Sequence, residues 1–71
     1  MDRANLERRL ANAEKHIDEG MRHIAQQKKL IQGMEHLGRD ASVSKKLLQT
    51  FEETVRLHKA DREKLLRALN A

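Results

Sequence analysis

The chain has 71 residues, with 15 Lys and Arg against 11 Asp and Glu, a net charge of +4, one aromatic residue, no Cys and no Pro. That length allows one domain at most and leaves too few apolar residues to fill a sizeable core without exceptional packing or a partner, and the lack of Cys excludes disulfides. Few aromatic, Pro or Gly residues and much Leu, Ala, Glu, Lys, Arg and Gln argue for helix over sheet.

The first residues are charged (Asp2, Arg3, Glu7, Arg8, Arg9) and carry no apolar run of the signal-peptide kind. No stretch approaches the ~20 apolar residues of a membrane span. With no Cys, the expected setting is a reducing, cytoplasmic one away from membranes.

From Leu6 to Gly38 one stripe advances by alternating fours and threes: Leu6, Leu10, Ala13, Ile17, Gly20, Ile24, Gln27, Ile31, Met34, Gly38. Leu10, Ile17, Ile24 and Ile31 repeat every seven residues, the a positions of an a/d seam. Two residues before each stands a basic side chain (Arg8, Lys15, Arg22, Lys29), a solvated row on the opposite face. The spacing predicts a helix over about residues 3–37, roughly 45–50 Å long.

Next comes Gly38-Arg39-Asp40-Ala41-Ser42. Gly38 suits the left-handed residue just past a helix end, and Asp40 or Ser42 can cap the helix that follows. A turn over 38–41 is so short that the two helices must be antiparallel neighbours.

The second helix is expected over about residues 42–69, on the stripe Leu48, Phe51, Val55, His58, Arg62, Leu65, Leu69. Folding the chain at the turn places Ile31 near Leu48, Ile24 near Val55, Ala13 near Leu65 or Leu66, and Leu10 near Leu69. Gly20 then falls opposite His58, and Gln27 opposite Phe51. Met21, Leu30, Leu37, Leu47, Leu57 and Leu66 widen both stripes beyond a two-stranded seam, the pattern of a helix with two neighbours. The expected fold is an all-α, antiparallel two-helix hairpin that dimerises into a four-helix bundle by two-fold symmetry. Gln27, His58 and Arg62 in the seam would set register at some cost in stability.

Four His residues raise the question of a metal. His16 and His23 lie seven apart, about 10 Å along a helix, and no two His have the three- or four-residue spacing of a helical chelate. The Glu-x-x-His motif of di-iron bundles is missing. His16 and His23 read as flanking residues and His58 as a seam residue, with no metal or cofactor required. Ser42 and Ser44 are accounted for by capping, and there is no Cys nucleophile. Acid-first pairs four apart (Asp18–Arg22, Glu52–Arg56, Glu63–Arg67) make a salt-laced surface. A catalytic site and a small-molecule substrate are not expected.

Near the turn, Lys28, Lys29, Arg39, Lys45 and Lys46 outnumber Glu35 and Asp40. Lys45 and Lys46 stand where the dipole of the second helix disfavours cations. This basic end could meet an acidic protein or nucleic acid, although no aromatic is available there for base stacking. The leading expectation is a non-enzymatic interaction module self-associating as a homodimer through Leu10, Ile17, Ile24, Ile31, Leu48, Phe51, Val55, Leu65 and Leu69. The alternative is a small nucleic-acid-binding regulator that uses the basic turn.

The runs His16-Ile17-Asp18-Glu19-Gly20-Met21-Arg22-His23-Ile24, Leu47-Leu48-Gln49-Thr50-Phe51-Glu52-Glu53-Thr54 and Leu57-His58-Lys59-Ala60-Asp61-Arg62 resemble a group of small helical-hairpin proteins of rhizobia and related bacteria. The resemblance covers most of residues 14–69 and departs from the group at Ala41 and Lys45. It implies a helical hairpin in a bacterial cytoplasm and carries no activity. In shape alone the expected hairpin dimer is also similar to plasmid-encoded RNA-binding hairpins, with no shared motif.

Overall fold

The first helix begins because Asp2 stands outside it in extended backbone (φ −77, ψ 156) and its carboxylate accepts the Asn5 N–H at 2.8 Å. That satisfies one of the free donors at the helix start. In the computed structural model, which describes residues 2–71, α1 spans Arg3–His36 and α2 spans Ser42–Leu69. Both are continuous, and the 53 Å long dimension matches ~1.5 Å per residue over α1.

Two hydrogen bonds wrapped around Gly38 close α1. The Gly38 N–H reaches Glu35 O at 3.0 Å and the Arg39 N–H reaches Met34 O at 2.8 Å. The second requires the left-handed backbone that Gly38 adopts, φ +70, where a side chain would be strained. Across the turn the Asp40 carboxylate accepts from the Ser42 N–H at 2.9 Å and from the Ser42 hydroxyl. Of the two expected capping residues, Asp40 is thus the acceptor and Ser42 a donor. These hydrogen bonds hold the Asp40 carboxyl below the usual carboxylate range, the Ser42 hydroxyl contributing most and nearby Lys45 adding to it. Ala41, between the two helices, is buried.

The helices pack along one seam as an antiparallel hairpin, all-helical among the described residues. Ala13, Ile17, Ile31, Val55 and Leu65 are buried in it, together with Gln27, and Leu10, Ile24, Leu48, Phe51 and Leu69 are half-buried. No described side chain is enclosed on every side, because two helices give each residue only one neighbour to pack against.

Ile24 shares a groove with Val55 and Gln27 one with Phe51, as expected, but the closest contacts are shifted along the axis. Gly20 faces Val55, three residues nearer the start of α2 than His58. His58 instead stacks on His16, ring centroids 4.9 Å apart. Phe51 packs on His23 at 5.7 Å, and the Gln27 amide donates to Ser44 O at 3.0 Å. Expectation counted residues outward from the turn as if both helices started level. The capped connection between His36 and Ser42 offsets them by close to a turn, and side chains lean toward the N-terminus of their own helix.

Candidate functional site: two unequal sides of the hairpin

Heptad positions turn the seam into coordinates for the rest of the surface. In an antiparallel pair, e positions of one helix border e positions of the other, and g positions border g positions. The e side holds Met21, Lys28 and Glu35 on α1 and Lys45, Glu52 and Lys59 on α2. Its pairing is visible in the ion pair between Lys45 Nζ and Glu35 Oε2 at 3.0 Å. A shallow groove here has an apolar floor of Met21, Ile24 and Val55, flanked by Lys28, Glu52, Arg56 and Lys59. Charged side chains of both signs therefore border this side.

The g side is different. His16, His23, Leu30 and Leu37 of α1 border Leu47, Thr54 and Asp61 of α2, and a second groove is lined by His23, Gln26, Gln27, Leu30 and Phe51. Of the large apolar residues left exposed, Leu30 (53%), Leu37, Val43, Leu47 (44%) and Leu57 occupy this side or its outer row. Met21 (48%) alone belongs to the e side. Single exposed apolar residues are ordinary, but several sharing one side make a patch.

The residues expected to self-associate divide accordingly. Ile17, Ile31, Val55 and Leu65 are consumed within the hairpin, whereas Leu10, Ile24, Leu48, Phe51 and Leu69 keep part of their surface. The largest exposed contributions come from Leu30, Leu47 and Leu57, which sequence reasoning noted only as stripe-widening flanks. Their shared side was the missed signal, legible once g positions of both helices are superposed.

The basic residues of the turn region are spread over different rows of the two helices. Lys28 and Lys45 lie on the e side, the latter engaged by Glu35. Lys29 and Lys46 are f residues pointing outward from opposite helices, and Arg39 is at the turn itself. Arg62, half-buried in the seam, has a buried Nε without a hydrogen-bond partner, while its terminal nitrogen lies 3.7 Å from Glu63.

His16 and His58 meet at ring distance, yet among the described residues no group of three His, Cys, Asp or Glu side chains is placed to hold a metal ion. No described helix is long and apolar enough to cross a membrane. No family model, curated protein or solved structure matches the chain. The functional reading rests on the two sides of the hairpin.

Proposed function

We propose that this hairpin is a non-enzymatic interaction module whose first partner is a second copy of itself, completing a four-helix bundle. The carrying observation is surface area. The hairpin exposes 5561 Å², whereas a compact protein of 8.3 kDa exposes about 4,600 Å². The excess, about 1,000 Å² per chain, is the size of one partner's share of a standard stable interface, about 800 Å². A radius of gyration of 16.2 Å, against about 11 Å for a compact chain of this length, has the same origin: the hairpin is half of a thicker object.

Half-buried Phe51 and exposed Leu30, Leu47 and Leu57 supply the apolar surface that pairing removes from water, at ~25 cal/mol per Å². Binding of nucleic acid or an acidic protein finds less support. One of its lysines is paired with Glu35, and two others project in opposite directions.

Light scattering over a hundredfold range of protein concentration, with helicity followed in parallel, tests the reading. A dimer whose melting temperature rises with concentration is expected, because association stabilises only the folded state. A helical monomer of unchanging mass would rule it out.

A further inference from the structure

Building on self-association, we infer which side of the hairpin the second copy covers and in which direction it lies: the g side, with the two turns at the same end of the bundle.

The side follows from charge. Between His23 and Leu57 the g row and its outer neighbour read His23, Gln26, Leu30, Gly33 and Leu37 on α1, and Val43, Leu47, Thr50, Thr54 and Leu57 on α2. None is Lys, Arg, Asp or Glu. Across the seam, the corresponding e side carries Lys28, Glu35, Lys45, Glu52, Arg56 and Lys59. Covering that side would strip water from these charges, including the exposed Lys45–Glu35 ion pair, at a cost the new contact repays poorly. Covering the g side removes mostly leucine, threonine and amide surface.

Direction follows from how the g side changes along its length. Its turn half is apolar, with Leu30, Leu37, Val43 and Leu47, while its open half holds Glu19, Asp61 and Lys64. Two-fold symmetry lets a second copy face this side in two ways. With the axis across the hairpin, the leucines of each copy lie on the charged half of the other and desolvate it. With the axis along the hairpin, Leu30 and Leu37 meet the partner copy's apolar turn half. The mixed charges of the open ends then face one another, where opposite signs and water are both at hand. The second arrangement sets leucine against leucine over the whole turn half.

The chain has no Cys, so one introduced cysteine is a unique handle. A spin label on Arg39→Cys, at the exposed turn, reports direction through the label-to-label distance in the dimer. Turns together give roughly 25 Å, two to three helix spacings including the labels. Turns at opposite ends give about the hairpin length, 53 Å, and that result overturns the inferred direction.

Matched variants report the side. Leu47→Glu and Leu30→Glu are expected to weaken dimerisation roughly tenfold or more, with helicity retained. Met21→Glu, at comparable exposure on the e side, should change it less than about threefold. The reverse ranking overturns the inferred side. A wild-type chain that stays monomeric overturns this inference and the self-association reading together, whereas a dimer with a long label distance overturns direction alone.

Discussion

Gly20 of α1 lies directly against Val55 of α2, and a β-carbon at position 20 would overlap Val55 Cγ2. Val55 is β-branched, 4% exposed and stiff at χ1, so it cannot swing aside. Two effects oppose each other in Gly20→Ala. Alanine gains ~1 kcal/mol of helix propensity, but forcing an extra carbon into a packed contact costs ~1–3 kcal/mol. The contact wins, and Gly20→Ala is expected to destabilise by about 1 kcal/mol. In a Val55→Ala background the same change should be neutral or stabilising. Denaturant melts of the four-member cycle measure that coupling; purely additive effects would show that the helices are not this close.

The other two glycines should respond in opposite senses. A β-carbon at Gly33 meets nothing within 4 Å, so Gly33→Ala is expected to raise stability by roughly 0.5–1 kcal/mol through helix propensity and a less flexible unfolded chain. Gly38 has φ +70, and Gly38→Ala should cost about 1–2 kcal/mol. Thermal melts at fixed protein concentration order the three as Gly33→Ala, wild type, Gly38→Ala.

Arg62 places a cation in the seam with its Nε buried and unpaired. Such an orphaned donor costs ~1–3 kcal/mol. Arg62→Met keeps the aliphatic stem and removes the unpaired group, so it is expected to stabilise by about 1 kcal/mol. Its price is register: Arg62 also helps forbid alternative seam alignments, and hydrogen exchange in the variant should show weaker protection near the open end.

Asp40 governs the acid limb of stability at the turn. Its carboxyl sits below the usual value of 3.8 in the folded chain because the Ser42 hydroxyl and N–H stabilise the carboxylate, with Lys45 adding to them. A depressed folded value means the unfolded chain binds the extra proton. The stabilisation is therefore complete above the unfolded value and is lost as pH falls through the folded one. Melts of wild type and Asp40→Asn from about pH 6 to about pH 2 should show a wild-type advantage that shrinks below about pH 4. An advantage unchanged at the acid end would contradict this role.

Salt separates the two ways the surface could be used. Pairing held by the apolar turn half of the g side should leave the dimer mass nearly unchanged between about 50 mM and about 500 mM salt. Contact through Lys28, Lys29, Arg39, Lys45 and Lys46 would instead retain duplex nucleic acid at about 50 mM and release it steeply as salt rises. Retention of that kind would move the functional centre from the g side to the turn.

By itself the sequence determined the hairpin. Leu10, Ile17, Ile24 and Ile31 at strict sevens, and Leu48, Phe51 and Val55 at threes and fours, are one-dimensional facts of a single helix each, and Gly38 marks the break between them because its backbone conformation is local. Other features were decided only in three dimensions. That Gly20 meets Val55 and His58 meets His16 depends on the axial offset introduced by the capped turn, a few ångströms that residue counting does not contain. The exposed leucines form a patch because Leu30 and Leu47 lie on one side of a seam shared by two helices. Periodicity within either helix gives each residue's angle about its own axis, and only the pairing of the helices makes those angles a common surface.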